Sequence, residues 1–96
     1  PEMRFQVDEA RKFAAMAEIV GRLTTAPGPE VESVNATDGV RVNTAEGWWL
    51  LRASNTQDVL VARAESDSEA GLARLLAQID AQLALSGLER GESVGH

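Results

Sequence analysis

The spacing of hydrophobic positions switches repeatedly along the chain, and each stretch of constant spacing predicts an element. Met3, Phe5 and Val7 alternate with Arg4 and Gln6, the pattern of a short half-buried strand. Asp8 then stands where a helix N-cap would, its side chain placed to accept from a free backbone N–H. Phe13, Met16, Ala17, Val20 and Leu23 follow at helical spacing and predict one apolar helix face. Gly21 weakens the last turn of that helix by about 1 kcal/mol relative to Ala. The run Ala26-Pro27-Gly28-Pro29 stops it.

Val31 to Thr37 predicts a second strand on weaker patterning, and Asp38-Gly39 is a hairpin signal because both residues tolerate positive φ. Val40 and Val42, alternating with Arg41 and Asn43, predict a third strand, and Ala45-Glu46-Gly47 a second turn. Trp48-Trp49-Leu50-Leu51 and Val59-Leu60-Val61-Ala62 are apolar on both faces, as in strands buried on both sides or central in their sheet. Leu72, Leu75, Leu76, Ile79 and Leu83 form the stripe of a second helix. Ser66 and Glu69 have the spacing of a capping box at its start, and Ser86-Gly87 ends it. The order β-α-β-β-β-β-α specifies an α+β fold of two layers, an antiparallel sheet with two helices on one face and its other face partly open. Residues 1–88 read as a single domain, and Glu89–His96, with few apolar residues and two glycines, as a flexible tail.

Composition narrows the function classes. Ninety-six residues suit one domain with one core. The absence of cysteine removes disulfides, thiolate metal sites and cysteine nucleophiles, and fits a reducing compartment such as the cytoplasm. A net charge of -6 argues against general affinity for nucleic acid or anionic membrane. No apolar run approaches about 20 residues, so no membrane span is expected. No basic-then-apolar leader opens the chain, so secretion is not expected either.

The strongest chemical signal lies between the two apolar strands, in Arg52-Ala53-Ser54-Asn55-Thr56. Arg52 offers a planar fork of donors that matches phosphate oxygens, Ser54 and Thr56 add hydroxyls, and Asn55 adds an amide and tolerates left-handed φ. A turn with successive N–H groups facing inward makes an anion nest. Arg63 lies on the following strand and returns towards the same region if the two strands pair. An ordinary hairpin with a surface arginine has the same residues, and local chemistry leaves both readings open. The other candidates are weaker. Trp48 and Trp49 could stack on a sugar or a base, but adjacent strand residues point to opposite faces, so at least one is expected in the core or a domain interface. His96 is the sole histidine and the last residue, without a partner in sequence. No metal-ligand spacing and no Gly-rich phosphate motif occurs.

Asp38-Gly39-Val40-Arg41-Val42, Gly47-Trp48, Leu51-Arg52-Ala53-Ser54-Asn55-Thr56, Val59-Leu60-Val61 and Arg63-Ala64-Glu65, taken in order, resemble the C-terminal, fourth domain of the α-D-phosphohexomutases. The Arg-Ala-Ser-Asn-Thr form is similar to the bacterial phosphomannomutase/phosphoglucomutase branch. Pro1 to Phe5, Asp8-Glu9 and Lys12-Phe13 resemble the family's entry into that domain. The resemblance implies a TATA-box-binding-protein-like fold. It implies an isomerase that interconverts hexose 6-phosphates and 1-phosphates through a bisphosphorylated intermediate, with a phosphoserine and Mg²⁺ in other domains. The fourth domain would hold the phosphate that is not reacting and move as a lid, through Arg52, Ser54, Asn55 and Thr56, with Arg63 as a supporting charge. Partners would be a hexose phosphate and the remaining domains.

Two features depart from the family pattern. Gln57-Asp58 stands where many relatives have Glu or Thr followed by Pro, which places an acid near a dianion. The chain also lacks the phosphoserine loop and the aspartate cluster for the metal, so no turnover is expected from it alone. The rival reading is a stand-alone helix-over-sheet module that binds a small apolar ligand or a protein partner on its open face.

Overall fold

The fold was taken from a computed structural model that describes residues 2–26, 28–29, 31–36, 39–54 and 57–88, with the side chains of Phe5 and Glu9 left aside. Its elements are β1 (Glu2–Gln6), α1 (Glu9–Thr25), β2 (Val31–Asn35), β3 (Val40–Thr44), β4 (Gly47–Ala53), β5 (Val59–Ser66) and α2 (Glu69–Leu85). The strands form one antiparallel sheet in the order β1-β5-β4-β3-β2. Strands β2 to β5 are a simple meander. β1 closes the other edge by pairing with β5, so the chain's first strand lies against its last.

Strand alternation decides what meets the helices. Val40 and Val42 of β3, Trp49 and Leu51 of β4, and Leu60, Ala62 and Ala64 of β5 point inward and are buried. Met16, Ile19 and Leu23 of α1 and Leu75, Ile79 and Leu83 of α2 complete the same cluster, so both helices cover one sheet face. The indole N–H of Trp49 donates to Gln78 Oε1 at 2.9 Å, which satisfies its one buried donor. The doubly apolar pattern of β4 reflects its central place in the sheet, since its outward residues Trp48 and Leu50 are only half-buried.

The apolar stripe of α2 is as its spacing predicts. That of α1 is not. Its buried positions are Lys12, Ala15, Met16, Ile19 and Leu23, while Phe13 and Ala17 are exposed. The helix is thus rotated by about one position from the face that hydrophobicity suggests, because a lysine takes an inward place. Two caps also differ. Ser68, not Ser66, is the N-cap of α2, its Oγ accepting from Gly71 N–H at 2.9 Å, because β5 runs on to Ser66. Asp8 is the N-cap of α1 without a side-chain bond; its carbonyl accepts from the N–H groups of Arg11 and Lys12. The predicted strand at Val31 ends at Asn35, and Thr37 and Asp38 lie outside the described residues, as does the predicted tail 89–96.

The seam between the helices is polar. Arg22 Nη2 donates to Gln82 O at 2.9 Å and to Ser86 Oγ at 2.8 Å, and Arg11 Nη2 donates to Ser86 O at 2.7 Å. Two cations therefore meet the carbonyl-rich end of α2, where the helix dipole favours positive charge.

Candidate functional site

The hairpin between β4 and β5 carries the predicted chemistry. Arg52 is the sixth residue of β4 and pairs with Val61, which places both on the sheet face away from the helices. Its side chain is half-buried and has no ion pair among the described residues. The Ser54 N–H donates to Val59 O at 3.1 Å and closes the connection at its base. Ser54 Oγ accepts from Gln57 N–H at 3.2 Å, a local turn that a hydroxyl at this position favours. Asn55 and Thr56 lie outside the described residues, so the structure brings Arg52 and Ser54 to the loop and is silent on the other two.

Arg63 shares the open face with Arg52 but does not join it. It pairs with Leu50, two register positions from Arg52. Its guanidinium turns the other way, 3.6 Å from Glu65 and 5.9 Å from the ring centre of Trp48. The expected supporting charge is thus a neighbour across the strands whose tip is engaged elsewhere.

Asp58, which the sequence flags as a hazard to an anion, is 3.8 Å from the ammonium of Lys12 and mostly exposed. Lys12 Nζ also donates to Gln57 O at 2.8 Å. Asp58 O accepts from Val7 N–H at 3.0 Å, so the far half of the loop is fastened to the β1–α1 junction. The contact of Lys12 with the loop was missed in the sequence because the residue stands among candidate core positions and its carbonyl partner is 45 residues away. Its one signal is that it is the chain's only lysine, placed where helical spacing turns inward.

Electrostatics separate the two sides of the domain. Arg4, Arg41, Arg52 and Arg63 face outward from the sheet against Glu2 and Glu65. Among the described residues that face carries a balance of +2, whereas the whole sequence has a net charge of -6. Trp48 sits within this cationic face, with the Arg41 guanidinium 4.2 Å above its ring. A face so covered by arginines suits an anion better than an apolar ligand. By contrast, the groove at the Thr44–Gly47 turn is lined by Glu46, Glu65 and Asp67 and would repel an anion. It adjoins the other end of β4, roughly 20 Å from the loop by strand rise.

Away from the loop, Arg11 bonds Glu18 through both guanidinium nitrogens, at 3.2 and 3.3 Å. These bonds hold the Glu18 carboxyl below the usual carboxylate range and raise Arg11. Among the described residues no three His, Cys, Asp or Glu side chains group as a metal site requires, and no helix is long and apolar enough to cross a membrane.

Comparison with known proteins adds a third line. Residues 2–82 match the family model described as phosphoglucomutase/phosphomannomutase, C-terminal domain. The phosphomannomutase/phosphoglucomutase of Pseudomonas putida is 41% identical over 75 residues, which cover 78% of this chain and 15% of that protein. That of Pseudomonas syringae is 36% identical over 83 residues, covering 86% and 17%. Among solved structures, a phosphoglucomutase/phosphomannomutase family protein from Burkholderia thailandensis superposes with a TM-score of 0.74 at 26% identity, over all of this chain and 19% of that one. The chain therefore spans less than a fifth of the length of these relatives.

Proposed function

The chain belongs to the phosphoglucomutase/phosphomannomutase family as its C-terminal domain, and from that premise we propose that it is the clamp for the non-reacting phosphate of the substrate. The whole enzyme interconverts hexose 6-phosphates and 1-phosphates of the mannose and glucose type, in the cytoplasm, through a bisphosphorylated sugar. Arg52, Ser54, Asn55 and Thr56 form the clamp, and Arg63 adds positive potential from the neighbouring strand. The observation that carries this reading is Arg52, free of ion pairs among the described residues, on a cationic sheet face of an acidic domain, at the mouth of a hairpin that also presents Ser54.

The physical logic favours such a clamp. A phosphate held far from the reacting oxygen anchors the sugar without entering the chemistry, so positioning contributes to the rate. Both ends of a bisphosphate must fit in turn, which suits a compact set of donors rather than a shaped pocket. A guanidinium gives charge-assisted, paired hydrogen bonds to phosphate oxygens. On a hinge, the domain closes after binding and keeps water from a reactive phosphoserine. Mg²⁺, which this reading assigns to the whole enzyme, finds no ligand set among the described residues.

The isolated clamp supplies one end of a shared site, so its affinity is weak, with a dissociation constant on the order of millimolar. Amide NMR of the labelled chain titrated with glucose 1-phosphate and mannose 6-phosphate, against glucose and sulfate, tests it. Shifts should concentrate at residues 52–56 and vanish in Arg52→Ala. A folded protein with no shift there at tens of millimolar ligand would overturn the claim that these residues bind phosphate on their own.

A further inference from the structure

We propose that Lys12 is a positioning residue for the phosphate-binding loop, holding its shape from the helix layer and neutralising the acid at its base. The inference rests on the clamp reading above and goes beyond it, since Lys12 lies on α1, outside the hairpin.

Lys12 is 3% exposed, and a buried ammonium costs free energy unless it is paired and hydrogen-bonded. Both conditions are met by the loop alone. Nζ donates to Gln57 O at 2.8 Å and lies 3.8 Å from Asp58 Oδ1. It also lies 4.8 Å from the ring centre of Phe13, which shields it on another side.

Gln57 is therefore held at both of its backbone polar groups. Its carbonyl is fixed by Lys12, and its N–H donates to Oγ of Ser54, a clamp residue. Ser54 Oγ is thereby linked to the helix layer through the backbone of one residue. Val7 N–H adds a second tether at Asp58 O. An ammonium suits this place because its several donors serve a carbonyl and a carboxylate from one point.

Two consequences follow for a bound dianion. Without Lys12, the far half of the loop loses its anchor, and small misplacement of donors is costly to a positioned substrate. Without Lys12, the Asp58 carboxylate also loses its ion-pair partner, which leaves an uncompensated negative charge in the loop that bears Ser54. Both raise KM. Neither touches the reacting atoms, so kcat should change little.

The test is steady-state kinetics of the full-length enzyme carrying this domain, with glucose 1-phosphate as substrate. Lys12→Met keeps the unbranched stem and removes the charge and donors. It should raise KM about tenfold and lower kcat less than about threefold. Ile19→Val, a buried change on the same helix, controls for general destabilisation and should leave KM within about twofold. Should Lys12→Met fail to fold, Lys12→Gln is read by the same criterion. If Lys12→Met leaves KM within about twofold while Arg52→Ala raises it, the role of Lys12 is refuted and the clamp stands. If Ile19→Val raises KM as much as Lys12→Met, the effect is general loosening and the role is refuted. If Arg52→Ala itself leaves KM unchanged, the clamp reading fails, and this inference with it.

Discussion

Gly39 packs its backbone directly against Arg52, and Gly39→Ala tests that close approach. Its φ is +73°, in the left-handed region. A Cβ built there would stand 2.6 Å from Arg52 Cβ and 2.9 Å from Arg52 Cα, and would also press on the Leu51 carbonyl. Ordinary contact begins at 3.4 Å, so the shortfall against Arg52 Cβ is about 0.8 Å. The opposing atoms are main chain and a first side-chain carbon, so no rotamer change relieves it and β4 must shift. Left-handed backbone costs an alanine about 1–2 kcal/mol. Forcing an extra carbon into a filled space costs about 1–3 kcal/mol more. The sum, about 2–5 kcal/mol, is a large share of the about 5–15 kcal/mol that stabilises an ordinary domain. Urea unfolding of the 96-residue chain, followed by fluorescence of buried Trp49, measures it through the midpoint at constant slope. Gly39→Asn divides the two contributions. Asparagine tolerates left-handed φ but carries the same Cβ, so it should recover the backbone part and retain a loss of about 1–3 kcal/mol. Full recovery by Asn would refute the close approach to Arg52, and a loss below about 0.5 kcal/mol in Gly39→Ala would refute the reasoning as a whole.

The helix layer and its seam yield the other two expectations. Ile79→Ala empties a fully buried position beneath the sheet and should cost about 2–5 kcal/mol in the same unfolding measurement. Glu18 has a pKa lowered in the folded chain, first by the hydrogen bond from Arg11 and then by one from Ser86. Its contribution to stability is therefore present above the ordinary carboxylate range and fades as pH falls through the lowered folded value. The stability difference between wild type and Glu18→Gln should accordingly be largest near neutral pH and close in acid; a difference that grows as pH falls would contradict the Arg11–Glu18 bonds.

Element identity was legible in the chain because it depends on local spacing. Val40 and Val42 alternate with polar residues and form a strand, and Leu75, Ile79 and Leu83 repeat at helical spacing and form the buried stripe of α2. The two-layer α+β class followed from their order, and the ordered residues from Asp38 to Glu65 carried the family. For the proposed clamp, the sequence offered residue types that suit phosphate oxygens, a guanidinium followed by hydroxyls and an amide.

Placement was not legible, because it depends on partners far along the chain. The register that sets Arg63 opposite Leu50 is fixed by pairing across the whole hairpin, and no single residue states that its tip turns to Glu65 and Trp48. The net charge of -6 conceals a positive sheet face, because strand pairing gathers arginines that are scattered in sequence. On α1, hydrophobicity alone turns Phe13 inward. The observed face turns Lys12 inward instead, since its ammonium finds a carbonyl 45 residues away. Local periodicity thus determined which elements form and what chemistry they carry. Only the tertiary structure decided where each charge points, because a charge leaves water only for a partner that the fold brings to it.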